Sequence, residues 1–173
     1  MDHDGPQTAS PAAKILIVDD HPIVREGLSL LISGSDDLVV CGEAEDIPSA
    51  LRLAEQTAPD LVVVDISLKG GNGIDLIKRI KSRWPSVRVL VSSMHGDALY
   101  AERAVRAGAS GYVNKQEATR TILDAIRTVL DGKLCLSATL TERLLRRAVG
   151  QGGEGLGGSP LESLSDRELE VLA

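Results

Sequence analysis

The chain has 173 residues, 43% of them apolar, with no Phe, one Trp and a net charge of −6. That is room for one domain with an appendage around an aliphatic core, and the negative balance excludes a protein that holds nucleic acid by bulk electrostatics alone. The start MDHDGPQTASPAAK lacks the basic patch and apolar stretch of a secretory signal, and no apolar run approaches the roughly 20 residues of a membrane helix, so a cytoplasmic protein without membrane contact is expected.

Residues 1–13 are polar, with Pro6 and Pro11, and read as a flexible arm. Short apolar runs then alternate with helix-period segments. The runs are KILIV (14–18), DLVVCG (37–42), DLVVVD (60–65), VRVLVS (87–92) and SGYVN (110–114). Several are apolar without alternation, as strands covered on both faces must be. Between and after them the spacing predicts helices over 22–33, 47–57, 73–83, 97–107 and 117–130. Pro22 stands in the first opening turn, Gly34 just past that helix, and Gly108 at the end of the fourth. Five β-then-α units imply a parallel sheet between helices.

Beyond 131 the pattern changes. LSATLTERLLRRA (136–148) offers Ser137 as a cap and Leu140, Leu144 and Ala148 at four-residue steps, which predicts a linker helix within 132–149. Residues 150–158 carry six glycines in nine and read as a flexible linker. In 159–173, Ser165 and Glu168 have capping-box spacing, with Leu164 and Leu169 placed for a hydrophobic staple, so a further helix starts there. Cys41 and Cys135 lie far apart without metal-ligand spacing and are expected as free thiols.

The chemistry concentrates where strands end. Ligands of open parallel sheets bind outside the carboxyl ends of the strands, near the point where strand order reverses. Here the first run ends in Asp19 and Asp20, the third in Asp65, the fourth in Ser93 and the fifth in Lys115. Adjacent carboxylates against an apolar core repel and lose hydration. A hard cation such as Mg²⁺ would neutralise them, and an aspartate beside it is a phosphoryl-accepting nucleophile. Lys115 would offset phosphate charge and the Ser93 hydroxyl could bond a phosphate oxygen. Arg143, Arg146 and Arg147 read as a solvated helix face, and His3 and His21 carry no chemical signal, His21 merely bordering the first helix.

ILIVDDHPIVREGL, LVVVDISLKGGNGIDL, VLVSSMHGD and AGASGYVNK, in this order and spacing, resemble the receiver domain of two-component response regulators over about 14–131. The tail LSDRELEVL resembles the opening of the helix-turn-helix domain of NarL/FixJ/LuxR-type transcriptional regulators. The resemblance implies an α/β doubly wound (βα)5 receiver with a five-stranded parallel sheet of order 2-1-3-4-5, followed by the linker helix and a truncated effector stub. It implies Asp65 as phosphoacceptor, with Asp20, Asp65 and the backbone carbonyl of Ser67 holding Mg²⁺ and Asp19 acting partly through water. Ser93 and Tyr112 become the switch pair and Lys115 the phosphate-pairing lysine, while Ser67 and His95 stand where dephosphorylation is gated.

The implied partners are a sensor histidine kinase, a second copy of the chain when phosphorylated, and promoter DNA only through the C-terminal domain of which 159–173 is the start. The domain is then a signalling module that catalyses only its own phosphorylation and dephosphorylation. Two other readings compete: a phosphorylation-independent receiver-like interaction module, which should have lost an acid or the lysine, and an aspartyl-nucleophile phosphatase, which wants a second acid where Ser67 stands. The loop Leu68-Lys69-Gly70-Gly71, where many receivers carry proline and methionine, is expected to be more flexible and to bring an extra cation near the pocket.

Overall fold

The computed structural model describes residues 9–94 and 98–150, with 118–120 described by backbone only. Continuous apolar runs become strands β1 (Ala13–Val18), β2 (Leu38–Ala44) and β3 (Leu61–Val64). A short hairpin follows, β4 (Ser67–Leu68) and β5 (Gly71–Asn72), and then β6 (Arg88–Ser93) and β7 (Gly111–Asn114). The helices are α1 (Pro22–Ser33), α2 (Ile47–Thr57), α3 (Gly73–Arg83), α4 (Ala98–Ala107), α5 (Ala118–Leu130) and α6 (Ala138–Gly150). The main sheet has the order β2-β1-β3-β6-β7 and every pairing in it is parallel. With the hairpin uncounted, this is the expected 2-1-3-4-5.

The strands are apolar throughout because alternate residues serve opposite layers. Ile15, Ile17, Leu61, Val63 and Leu90 pack with Leu28 and Ile32 of α1 and Ile122, Ile126 and Val129 of α5. Leu16, Val18, Val62, Val64, Val89 and Val91 face Ala50, Ile77, Ile80 and Ala104 of α2, α3 and α4. Each such aliphatic side chain, fully buried, stabilises the fold by about 1.5–3 kcal/mol before the entropy of ordering is subtracted. Caps fit the predicted starts: Asp46 accepts from the Ser49 amide at 2.9 Å, Asn72 from the Ile74 amide at 2.8 Å, and Ser137 from the Leu140 amide at 3.2 Å.

Two local expectations change. The segment after Asp65 is not a loose loop, because Ser67 pairs with Asn72 and Leu68 with Gly71, and Gly70 takes the positive φ of 71° that the two-residue turn demands. Residues before α6 are not helical. Cys135 instead runs along the free edge of β7, donating its amide to Ser110 and accepting from the Tyr112 amide, both at 2.9 Å. Cys41 and Cys135 are free, and they lie at opposite edges of the sheet. That is some 24 Å at about 4.8 Å per strand, far beyond the roughly 7 Å limit for a disulfide. The predicted arm before residue 9, the glycine-rich linker after Gly150 and the helix start at Ser165 fall outside the described residues.

Two glycines make opposite demands. A Cβ on Gly73 would lie 2.2 Å from the Asp65 carbonyl oxygen and 2.7 Å from the Ile66 Cα, both backbone atoms that cannot turn away. Gly27, exposed within α1, has nothing within 4 Å of such an atom. Gly73→Ala should therefore destabilise by about 1–3 kcal/mol through overpacking, whereas Gly27→Ala should stabilise by about 0.5–1 kcal/mol through helix propensity. Urea unfolding of the two variants checks the opposite signs.

Candidate functional site

The order of strands reverses between β1 and β3, and the acids stand just past the ends of those two strands. Asp19 follows β1 and donates its amide to the Ala44 carbonyl at 3.0 Å, while Asp65 follows β3 and donates to Val18 at 2.9 Å. These bonds extend the sheet ladders by one residue, so both carboxylates are aimed by rigid backbone rather than by a loop. Lys115 follows β7, its amide bonded to the Ser93 carbonyl at 2.9 Å. Its ammonium reaches across β6 to lie 2.5 Å from Asp19 Oδ2 and 3.0 Å from Asp65 Oδ2, with the lysine side chain only 7% exposed. A buried cation thus bridges two buried carboxylates.

Asp19, Asp20, His21 and Asp65 each offer a ligand atom, and these atoms lie within 4.8 Å of one another. His21 was read from the sequence as mere helix border. It does cap α1 with its backbone, but its ring folds back, Nδ1 standing 3.1 Å from Asp19 Oδ1 and 2.8 Å from Asp20 Oδ1. The geometry satisfies a hydrogen bond to Asp19 but not to Asp20, whose buried Oδ1 has no hydrogen-bond partner. The adjacency of His21 to the acid pair puts it near the pocket but does not say where the ring turns. Arg25 was also missed: one turn into α1, its guanidinium donates to the Asp19 carbonyl at 2.6 Å.

Of the other predicted residues, Ser67 opens the hairpin and donates its amide to Asp65 Oδ1 at 3.2 Å. Ser93 is fully buried at the end of β6 and pairs with Asn114 of β7. Tyr112 pairs with Val91 two positions earlier, is half-buried, and lines a cavity of about 510 Å³ between α4, β7, α5 and the start of α6. His95 lies outside the described residues. Lys69 is exposed on the hairpin turn.

The arrangement suits oxygen coordination of a small hard cation. Three carboxylates, one with an oxygen that lacks a hydrogen-bond partner, converge with one ammonium, a donor set that fits Mg²⁺ better than a soft metal. Asp20, whose Oδ1 has no hydrogen-bond partner, could hold the ion together with Asp19 and Asp65, both of which also lie against Lys115.

The surroundings match known proteins. The model of the response regulator receiver domain matches residues 15–127. The oxygen regulatory protein NreC of Staphylococcus carnosus is 32% identical over 92% of this chain and 75% of its own length. The transcriptional regulatory protein LiaR of Bacillus subtilis is 35% identical over 92% of this chain and 74% of its own. Among solved structures, a LuxR-family two-component response regulator from Aurantimonas sp. SI85-9A1 aligns with a TM-score of 0.72 and 38% identity, over 80% of this chain and 99% of that one.

Burial holds the Asp65 carboxyl above the ordinary carboxylate range, with Lys115 opposing the shift and Asp19 adding to it. A raised acid pKa means that the folded chain binds the proton more tightly than the unfolded chain. Stability then falls as pH rises from the unfolded value near ~3.9 through the folded one. In metal-free buffer Asp65→Asn should therefore melt a few degrees higher than the parent at pH 7, at about 2–4 °C per ~1 kcal/mol for a chain of this size. The gap should close toward pH 4, and thermal melts across that range check the sign.

Proposed function

The chain belongs to the response regulator receiver family, of the NarL/LuxR type, and on that premise we propose that it accepts a phosphoryl group on Asp65 from a sensor histidine kinase, with Mg²⁺, to control a LuxR-type DNA-binding output. The observation that carries the reading is the Lys115 ammonium held between Asp19 and Asp65 beside an Asp20 oxygen that has no hydrogen-bond partner. No helix among the described residues is long and apolar enough to cross a membrane.

The chemistry asks little of the protein beyond placement and charge. An Asp65 carboxylate oxygen attacks phosphorus, the new O–P bond forms as the P–N bond to the kinase imidazole breaks, and the electron pair leaves with that nitrogen. Lys115 opposes the desolvation of Asp65, which favours the ionised nucleophile, and afterwards pairs with phosphoryl oxygens. The Ser67 amide, already on Asp65 Oδ1, orients the carboxylate. Mg²⁺, held by Asp20, Asp65 and the Ser67 carbonyl with Asp19 partly through water, would neutralise charge on the acids and on the transferring group. Ser93 then moves toward the phosphoryl group and Tyr112 turns into the vacated space, a population shift set by how differently the two states hold the phosphoryl group. By the family resemblance, Ser67 and His95 would gate dephosphorylation. Phosphorylation favours a homodimer, and DNA is reached through a C-terminal helix-turn-helix domain whose start is 159–173. The receiver unit itself occupies 14–131, with 132–149 as linker to it.

Acetyl phosphate with Mg²⁺ should add one hydroxylamine-labile phosphate to the chain by intact mass, and Asp65→Asn should take up none; equal labelling of that variant would remove Asp65 from the role. In a calorimetric titration Asp20→Asn should bind Mg²⁺ at least tenfold more weakly, because it loses charge at the pocket oxygen that has no hydrogen-bond partner. Undiminished Mg²⁺ affinity would place the ion elsewhere.

A further inference from the structure

The acid pocket does not consist of oxygen alone. His21 Nδ1 stands 2.8 Å from Asp20 Oδ1, 3.1 Å from Asp19 Oδ1 and 3.9 Å from Asp65 Oδ2. Two ligands at right angles on one ion, each about 2.1 Å from it, are about 3.0 Å apart, and opposed ligands about 4.2 Å. The three distances of the nitrogen keep close to that range, and all four ligand atoms lie within 4.8 Å of one another. The imidazole therefore has the spacing of a fellow ligand from each acid.

The local sequence sets this placement. A residue before proline is restricted to extended backbone, and His21, followed by Pro22, has φ −95° and ψ 110°. Its amide donates to Asp19 Oδ1 at 2.9 Å, and its carbonyl accepts from the Arg25 amide at 3.1 Å. With the backbone tied on both sides, only the two ring torsions remain to decide where Nδ1 lies. Nδ1 shares a hydrogen with Asp19 Oδ1 at 3.1 Å. The side chain is 61% exposed, so the ring can carry that hydrogen on Nε2 with water as acceptor and turn the Nδ1 lone pair to an ion, without a change of charge. The charge of the pocket matches as well. Three ionised carboxylates against the Lys115 ammonium leave a residue of two negative charges, which one divalent cation balances.

The nature of the fourth donor decides which cation gains. Mg²⁺ takes oxygen and gives up its water reluctantly, whereas imidazole suits the late first-row divalent metals. We infer that His21 is a metal ligand that sets the choice of ion, so that the pocket takes a late first-row divalent cation such as Co²⁺ or Zn²⁺, through Nδ1 and the acids, in preference to Mg²⁺. This rests on the reading that Asp19, Asp20 and Asp65 hold a divalent cation. The two kinds of ion then compete for one pocket, and phosphoryl acceptance depends on which of them occupies it.

Calorimetric titration of the whole chain with Co²⁺ and, separately, with Mg²⁺ tests this, with the visible Co²⁺ absorption recorded on the same samples. Every arm carries His3→Ala, so that the imidazole near the chain start offers no second site. Co²⁺ should bind at least tenfold more tightly than Mg²⁺. His21→Ala should weaken Co²⁺ at least tenfold and Mg²⁺ less than threefold, and the Co²⁺ band should shift as a nitrogen donor is lost. His21→Asn, which keeps a short polar side chain at the helix start without an imidazole, should behave like His21→Ala. Co²⁺ bound as tightly as before, or both metals weakened by the same factor, overturns His21 as a selecting ligand. Tighter binding of both metals by His21→Ala overturns it too, since the ring would then obstruct the ion. Asp20→Asn decides the pocket itself: it should weaken both metals, and if it weakens neither, the ion lies elsewhere and the reading beneath the inference falls with it.

Discussion

Everything at the sheet edge depends on one ion pair system, the Lys115 ammonium between Asp19 and Asp65. Two buried carboxylates side by side would drive each other toward protonation or out toward water. With the ammonium between them the pocket is close to satisfied, but not fully, since burial still outweighs Lys115 at Asp65 and one Asp20 oxygen remains orphaned. The site is held in a state of residual demand for positive charge. A cation would relieve it, and a phosphoryl group on Asp65 would compete for the lysine. Both responses follow from the same electrostatic imbalance.

The imbalance persists because the backbone around it cannot yield. β1 and β3 are central strands whose side chains are consumed by the two helix layers, and each acid amide is tied to the neighbouring strand. Gly73 lets α3 start against the Asp65 carbonyl itself, with its amide on the Ile66 carbonyl at 2.7 Å. Repulsion that cannot be relaxed by moving the chain is available to bind ligands. This is how a small parallel sheet converts aliphatic packing into affinity.

The fold was legible because its signals are periodic. Runs without polar alternation announce doubly covered strands, and helix bounds at 22–33, 47–57 and 73–83 follow from caps and Gly/Pro punctuation. The convergence of Asp19, Asp20, Asp65 and Lys115 was legible too, since all stand at strand ends and topology sends strand ends to one place. What was not legible is nonlocal and without period. Nothing near His21 tells that its ring turns back over the acids. Nothing in ERLLRRA separates Arg147 from Arg146, because the difference is a glutamate 45 residues away on α4. The strap at Cys135 escaped because one bridge of edge pairing leaves no alternation to read. The hairpin after Asp65 was misjudged because glycine was read as freedom, when Gly70 serves a turn.

Two of these misses, His21 and the hairpin, adjoin the acids, and two, Cys135 and Arg147, lie toward the last described helix. The core elements that were easy to read are those whose burial no single ligand can alter. The elements that were hard to read have only a cap, a bridge or a half-satisfied ion pair to hold them, so small free energies decide their position. A signalling domain needs both kinds. Strong periodic packing fixes where charge is placed, and weak nonlocal contacts let the placement of charge be felt elsewhere. Glu102 belongs to the second kind: a buried acid with one oxygen on Arg147 of α6 and the other without a hydrogen-bond partner.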